Sequence, residues 1–411
     1  MESIQNKIVK AALLGAGTVG SGVYELVKER QEDFPHICGT QIEIAKILVR
    51  DASKEREGIP SELLTDNWEE IIADDSISII IEVMGGIEPA KSYLLEAMKA
   101  GKQVVTANKD LIAEHGHELL DTAEQYGCDF KFEAAVAGCV PIIQILKQSM
   151  SSENITEIMG IVNGTTNYIL TRMTQSGLSY DEALKEATDL GYAEADPTAD
   201  VDGLDAGRKI AIMASIAFHS RVTFSDVYIE GIRNITAKDI FYAKEFNSVI
   251  KLVGIARKDE DGIEVKVLPI LIPQDHPLAT VNDSFNAVFV HGTASDDTMY
   301  YGRGAGKRPT ASAVTGDLCT VARHIVEKHS NLHVCSCYKE LPVKNIQDTY
   351  SRFFLRLQVA DRPGVLANIT SVFGTSQVSI AQIIQKSRQN GNAELVIITD
   401  QVEERHFKDA L

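Results

Sequence analysis

The chain has 411 residues, 44% of them hydrophobic, enough for two or three domains with sizeable cores. Its 40 basic residues face 58 acidic ones, a formal charge of −18, which argues against nucleic acid or an anionic membrane as the main partner. No apolar run approaches the roughly eighteen residues of a membrane span. The first residues, MESIQNKIVK, lead into a strand without a signal peptide's apolar core. Six scattered cysteines without metal-finger spacing read as reduced thiols of a cytoplasmic protein, and Cys335 with Cys337 forms only a C-x-C.

Ile8 to Leu14 is an apolar run of strand length, followed by Gly15-Ala16-Gly17-Thr18-Val19-Gly20 and a helical pattern. This is G-x-G-x-x-G between a strand and a helix. Gly15 allows the tight turn, Gly17 lets the backbone approach a pyrophosphate, and Gly20 lets helix and strand pack closely. The helix amino terminus, with Thr18 and Val19, offers N–H groups and partial positive charge. A second strand, Ile42 to Val49, ends in Arg50-Asp51, with Lys54 and Arg56 beyond. Arginine at that end suits a 2′-phosphate and favours NADP; Asp51, one place on, keeps NAD open.

Ile77 to Met84 has the continuous apolarity of a parallel strand covered on both faces, and a helix follows through Met98. The strand from Gln103 to Thr106 delivers Lys109 to its carboxyl end, where doubly wound sheets bind ligands. Asp129 to Ala135 resumes the strand pattern, and Val136 to Pro141 opens a helix. The alternation predicts a doubly wound, Rossmann-type α/β dinucleotide domain over residues 1–145.

The middle of the chain, residues 146–301, begins with a strand over Ile155 to Val162, then Asn163-Gly164-Thr165-Thr166-Asn167 and a helix from Tyr168. Five carboxylates crowd the next stretch: Glu194, Asp196, Asp200, Asp202 and Asp205. From Leu204 the pattern is helical, with Ile210, Met213, Ala214 and Ala217 at three- and four-residue spacing. Asp205 and Lys209 therefore share one face of a helix, one turn apart. Two readings stay open. One is a solvated loop with a surface ion pair, worth only about 0.3–0.5 kcal/mol. The other is a site where carboxylates hold an ammonium group and the lysine exchanges a proton with a hydroxyl or carbonyl oxygen. Strands around Ile250–Arg257, Ile263–Leu271 and Ala287–His291 predict an α+β domain with a mixed sheet suited to subunit pairing. A second Gly-rich loop, Tyr301 to Thr310, precedes a helix, and residues 302–330 are expected to return to the dinucleotide domain, with Gly304 beside the cofactor.

Six ordered segments together resemble homoserine dehydrogenases: GAGTVG at 15–20, TANK at 106–109, FEAAVAGCVPII at 132–143, NGTTNYIL at 163–170, GYAEADPTADVDGLDAGRK at 191–209 and PTASAV at 309–314. The resemblance runs along nearly the whole chain. It implies reversible NAD(P)H-dependent reduction of L-aspartate 4-semialdehyde to L-homoserine, on the route to threonine, methionine and isoleucine. By matching position it makes Lys209 catalytic with Asp205 as partner, and Lys109 the second lysine between cofactor and substrate. Thr165, Tyr192, Glu194 and Asp200 fall at substrate-contacting positions. Glu133, with the carbonyls of Val136, Gly138 and Val140, falls at a monovalent-cation site, sodium being the expected ion. Arg303, Lys307 and Arg308 depart from the family's small or apolar loop, and either add to 2′-phosphate binding or mark an altered loop. No kinase segment precedes residue 1, so a single-activity form is expected, assembled as a homodimer or homotetramer.

Residues 350–411 resemble an ACT module, a ferredoxin-like βαββαβ unit: FFLRLQV as a strand, DRPGVL opening a helix that ends near Gly374, then VSIAQIIQKS and AELVIITD. The resemblance implies threonine as effector. The sequence reaches only into the second helix, His406 to Leu411, so the module's last strand is expected to be missing and a sheet edge unpaired. Two other readings compete. Aspartate-semialdehyde dehydrogenase would need a nucleophilic cysteine, for which Cys139 is the candidate. A non-catalytic amino-acid sensor would lack the Lys209–Asp205 pair, which is present.

Overall fold

The computed structural model describes residues 8–329, 335–389 and 391–411. The first seven residues of the expected dinucleotide domain, and Ser330 at the end of its returning segment, lie outside the described residues.

Six parallel strands form the first sheet: β1 (Ile8–Leu14), β2 (Gln41–Leu48), β3 (Leu64–Thr65), β4 (Ile77–Glu82), β5 (Gln103–Thr106) and β6 (Phe130–Lys131), in the order β3-β2-β1-β4-β5-β6. The chain starts at β1, fills the sheet to one side, then crosses to β4, which leaves a crevice above β1 and β4. Both faces are covered, which explains the unbroken apolar runs. Ala11, Leu13, Ile79 and Ile81 pack with Val23 and Val27 of the helix Thr18–Glu29, whereas Ala12, Leu14 and Ile80 pack with Leu94 and Leu119 on the far side. Each such fully buried leucine or isoleucine contributes about 1.5–3 kcal/mol.

The helix Lys307–Glu327 lies on the first of these faces, with Val314, Leu318 and Val321 in the same core as Val23. Gly22 makes this contact possible, because a Cβ there would stand 2.9 Å from the Lys307 carbonyl oxygen. Residues 129–135 differ from the expected strand. Only Phe130–Lys131 pairs with β5, and Glu133–Ala135 coil into a 3₁₀ turn. The cause is distant in sequence: the Glu133 N–H donates to the Asp317 carboxylate (2.8 Å), which draws the main chain out of the ladder.

The second sheet is mixed and contains β7 (Ile155–Ile161), β8 (Tyr228–Ile229), β9 (Ser248–Asp259), β10 (Gly262–Pro273), β11 (Phe285–Gly292) and β12 (Asp296–Arg303), ordered β12-β11-β7-β9-β10-β8. Only β8 and β10 run parallel. The helices Gly164–Ser176 and Leu204–Phe218 pack against it, and Gly254 lets the latter approach until a Cβ there would touch Ile210 at 3.1 Å.

At the carboxyl end are β13 (Tyr350–Ser351), β14 (Phe354–Ala360), β15 (Ile380–Gln389), β16 (Asn392–Thr399) and β17 (Val402–Glu403). The three long strands form a sheet in the order β14-β16-β15. Leu355, Phe373, Ile397 and Phe407 join this sheet to the helices Val365–Thr375 and Glu404–Ala410 in one small core. Polar ties anchor the module to the middle domain: Arg356 bonds Asp239 (3.0 Å), and the Tyr242 hydroxyl donates to the buried Glu394 (3.0 Å). No helix among the described residues is long and apolar enough to cross a membrane.

Candidate active site

The glycine turn comes first. Gly15 takes φ +105, which its lack of a side chain permits, and its N–H donates to the Leu48 carbonyl. A Cβ on Gly20 would stand 2.1 Å from the Gly15 oxygen, so helix and turn touch there, whereas a Cβ on Gly17 would meet nothing within 4 Å. The helix Thr18–Glu29 starts at Gly17 with no side-chain cap, leaving its first N–H groups directed at open space beside an exposed Thr18. These features fit a pyrophosphate. At the end of β2, Arg50 is exposed and makes no ion pair among the described residues. Asp51 instead accepts the Ser53 N–H (3.0 Å) and hydroxyl (2.6 Å) and pairs with Lys54.

From this turn a cleft of about 760 Å³ runs to the middle domain, lined by Val19, Met84, Gly138, Gly304, Lys109 and Lys209 among others. The strand ends that form its floor are fixed by Glu82, fully buried, which accepts the N–H groups of Met84 and Gly85 and the Thr106 hydroxyl. The Thr106 hydroxyl in turn accepts the Asn108 N–H, and Asn108 caps the helix Lys109–Tyr126 by accepting from the Leu111 N–H. Lys109 thus leaves the first residue of a capped helix, aimed across the cleft.

Its target is Asp205. One carboxylate oxygen of Asp205 meets the Lys109 ammonium at 3.2 Å, and the other accepts from Lys209 at 2.7 Å and from the Asn163 amide at 3.0 Å. Lys209 also donates to the Val162 carbonyl at 2.8 Å. The Asn163 amide further donates to Asp200 at 2.6 Å, while its oxygen caps the helix Gly164–Ser176 through the Thr166 N–H. Side-chain exposure of 12% for Lys209 and 8% for Asp205 decides between the two readings of this pair. It is a desolvated pair, and breaking such a pair by removing one partner costs about 3–5 kcal/mol.

The electrostatics follow from these contacts. Burial pushes the Asp205 carboxyl upward, but the charges of Lys209 and Lys109 and the hydrogen bonds outweigh it and hold the group well below the usual carboxylate range. Asp205 is also the main cause of a raised Lys109 pKa, against the lowering that burial exerts. Asp200 is pushed up, chiefly by burial and then by the neighbouring Asp205 charge, against the hydrogen bond from Asn163.

The structure brings Lys109, Asp205, Lys209 and Asp200 together, with Val19, Gly138 and Gly304 in the same cleft. Thr165 is buried behind them and donates to the Tyr192 carbonyl at 2.6 Å; the Tyr192 ring rests on Tyr168. Glu194 is exposed and takes no part in the bonds that join the cluster. Asn163 and Val162 were not among the expected site residues. Asn163 was findable as an Asx cap preceding Gly-Thr-Thr, had the helix been started at Gly164 rather than Tyr168.

At the expected cation site, Ala137 and Gly138 both adopt left-handed backbone, which turns the loop sharply. Among the described residues no hydrogen bond reaches the carbonyls of Val136 or Gly138, while that of Val140 accepts from the Ile142 N–H. The Glu133 carboxylate is already committed to the Ile143 and Gln144 amides (2.8 and 2.7 Å). Of the loop cations, Lys307 pairs with Glu25 (2.6 Å), Arg308 forks onto Glu29 (2.9 and 2.7 Å), and Arg303 stacks over Phe285. Lys307 and Arg308 are thus spent on the helix Thr18–Glu29, which makes the altered loop the better account of them.

Comparison with known proteins matches residues 15–133 to the family model described as the homoserine dehydrogenase NAD-binding domain, 141–319 to homoserine dehydrogenase, and 353–411 to the ACT domain. The chain is 46% identical over 409 residues to a homoserine dehydrogenase of Bacillus subtilis, covering 98% of this chain and 94% of that one. Against one of Corynebacterium glutamicum it is 47% identical, covering 95% and 88%. A crystal structure of a homoserine dehydrogenase from Thiobacillus denitrificans superposes with a TM-score of 0.92 at 39% identity, covering 98% and 94%. A hyperthermophilic archaeal homoserine dehydrogenase in complex with NADPH superposes with a TM-score of 0.67 at 27% identity, covering 80% and 100%.

Proposed function

The chain belongs to the homoserine dehydrogenase family and has that oxidoreductase activity with a nicotinamide cofactor; from this premise we propose how its own residues carry the reaction. The observation that supports the reading most is the single carboxylate of Asp205 gripping two lysines at the mouth of the cofactor cleft. The cofactor, when bound, supplies or accepts the hydride at carbon 4 of the substrate. Lys209 does the proton work. Two of its three N–H bonds are directed at Asp205 and Val162, which leaves the third for the substrate oxygen. It gives that proton up in reduction of L-aspartate 4-semialdehyde and takes it back in oxidation of L-homoserine. Lys109, kept charged by Asp205, stabilises the negative charge that develops on the same oxygen.

Asp205 orients both lysines, and Asn163 positions Asp205. Asp200, Thr165 and Tyr192 form the amino-acid side of the site, and the exposed Glu194 pairs with the substrate ammonium when it enters. Gly15, Gly17, Thr18, Val19 and Gly20 hold the pyrophosphate, with Gly304 closing over the cofactor. Arg50 takes a 2′-phosphate, so NADP is preferred to NAD; Asp51, tied to Ser53, does not compete for it. The carbonyls of Val136, Gly138 and Val140 would hold a sodium ion, with Glu133 shaping the loop through Ile143 and Gln144 rather than binding through its carboxylate. The second sheet pairs subunits into a homodimer or homotetramer, threonine binds the ACT domain, and the enzyme works in the cytoplasm.

The test is the appearance of reduced-nicotinamide absorbance with L-homoserine, run with NADP and NAD in parallel and with and without threonine. Faster reduction of NADP supports the Arg50 reading. Faster reduction of NAD overturns it while leaving the reaction in place, and insensitivity to threonine removes the effector.

A further inference from the structure

Behind the active site the helices Lys109–Tyr126 and Leu204–Phe218 flank a second, narrow pocket of about 60 Å³. Its walls are mostly apolar, with Ile112 and Gly116 from one helix and Ile212 and Ser215 from the other. Another wall is the segment that leads toward the ACT domain, which contributes Cys335 and Cys337. Both thiols are part-exposed, and the single Cys337 S–H is shared between the Cys335 sulfur and the Ser215 carbonyl, whose oxygen lies 3.5 Å from the Cys337 sulfur. Lys147 and Arg221 line the same space, and Arg221, just past the end of the helix Leu204–Phe218, holds Asp121 of the other helix through a forked bond.

The segment is a strap on the end of the helix that carries Asp205 and Lys209. That helix stops at His219, which takes left-handed backbone; its carbonyl accepts the Lys339 N–H at 2.8 Å, and its ring stacks on Tyr338. We propose that Cys335 and Cys337 are a redox-active dithiol that a peroxide converts to an intrachain disulfide, and that this disulfide slows the dehydrogenase by loosening the strap from the helix Leu204–Phe218. The segment is in no strand and turns at Ser336, whose carbonyl accepts the Tyr338 N–H at 3.1 Å, and the two thiols already meet across one intervening residue; a disulfide accepts a Cα separation of about 4.4–6.8 Å.

The environment favours Cys335 as the attacking group. Its hydrogen bond from Cys337, aided by the charge of Arg221, brings its pKa down to about 6 despite burial, whereas the Cys337 thiol is pushed up by the same bond. The chemistry balances in two steps. The Cys335 thiolate attacks one peroxide oxygen; the O–O bond breaks, an S–O bond forms, and hydroxide leaves, giving the sulfenic acid. Cys337 then attacks the Cys335 sulfur; the S–S bond forms, the S–O bond breaks, and the departing hydroxide takes the Cys337 proton as water. The two sulfurs lose two electrons and the peroxide gains them. In the product Cys337 has no S–H left to donate to Ser215, and the strap is held in a small ring beside the helix end. The slowing, but not the disulfide itself, rests on the assignment of Lys209 and Asp205 to catalysis.

The test treats the full-length protein with hydrogen peroxide, blocks remaining thiols, and maps peptides without reduction. The peptide holding residues 335–337 should lose two hydrogens, and homoserine turnover should fall several-fold and return with dithiothreitol. Cys337→Ser should stop at a sulfenic acid trapped by dimedone, and Cys335→Ser should keep its turnover under peroxide. Oxidation confined to Cys139, or to Cys38 and Cys319, whose thiols are hydrogen-bonded to each other, would overturn the proposal. So would a Cys335–Cys337 disulfide that leaves turnover unchanged, or a Cys335→Ser protein as peroxide-sensitive as the parent. Because the mass change is read on the unmutated protein, it stands whether or not the variants fold and whatever the reaction proves to be.

Discussion

Two buried aspartates, Asp205 and Asp317, are almost equally hidden from solvent, at 6% and 3% exposure, and they titrate in opposite directions. Burial raises both. Around Asp205, Lys209 and Lys109 arrive from segments one hundred residues apart and reverse the effect, so the carboxylate stays ionised. Among the described residues Asp317 has only the Glu133 N–H as a direct partner, and the nearby Glu133 carboxylate adds repulsion, so burial prevails and its pKa rises to about 7. The first grips the two lysines that line the cleft; the second is a staple between the helix Lys307–Glu327 and the Glu133–Ala135 turn. Burial alone therefore does not separate a working carboxylate from a structural one. Cations gathered from distant parts of the chain do.

The sharpest way to break this contrast is Lys209→Met, which keeps length and apolar volume and deletes the ammonium. Turnover with L-homoserine should fall about 10²–10⁴-fold, the usual contribution of a positioned acid or base. Retention of nearly full turnover would remove Lys209 from the chemistry. Asp205→Asn comes next, with a loss on the order of 10²-fold from misplacing both lysines. Without the anion Lys109 loses the charge that holds its pKa up, so the alkaline limb of the pH–rate profile should move to lower pH. A loss of turnover with an unmoved limb would make Asp205 only a packing residue.

Asp317→Asn tests the other half, and its effect is on stability. For Asp205 the folded pKa is depressed, so its stabilisation is present above the ordinary carboxylate range and is lost as pH falls through the folded value. For Asp317 the sign is reversed. The folded state keeps a proton that the unfolded chain releases near pH 4, so its contribution is full below that pH and declines as pH rises to about 7. Asparagine can still accept the Glu133 N–H without charge. The variant should therefore be more stable than the parent at pH 8, by on the order of a few kcal/mol and seen as a higher Tm, and lose most of the advantage at pH 4. A variant that melts lower at both pH values would show Asp317 to be ionised and stabilising, and the contrast with Asp205 would collapse.

What was legible in the sequence was local. The glycine turn after β1, the doubly covered strands and the i, i+4 relation of Asp205 and Lys209 each depend on neighbours within a few residues, and the structure has them where expected. What failed depends on partners far away. The run from Asp129 to Ala135 has strand composition, but a hydrogen bond from 184 residues along the chain bends it into a turn. Asn163 is readable as a cap; its bonds to Asp200 and Asp205 are not, because they lie 37 and 42 residues off. The position of Lys109 at the carboxyl end of β5 marked it for the ligand site and the resemblance gave its role, but spacing had no means of placing it 3.2 Å from Asp205.

The same distinction sets the smallest expected effect. Read along the chain, Lys307 and Arg308 looked like cations placed beside a cofactor phosphate. In the fold each has a carboxylate of its own, Glu25 and Glu29, one turn apart on the helix Thr18–Glu29. A cation already neutralised on an exposed helix face has little field left for a phosphate, and salt screens what remains. Lys307→Ala and Arg308→Ala should therefore change the ratio of KM for NADP to KM for NAD by less than about twofold. Arg50→Ala, at a residue with no ion pair among the described residues, should raise it well beyond that. If instead the loop variants shift the ratio and Arg50→Ala does not, the 2′-phosphate lies against the second Gly-rich loop, and Glu25 and Glu29 must release their partners when the cofactor binds.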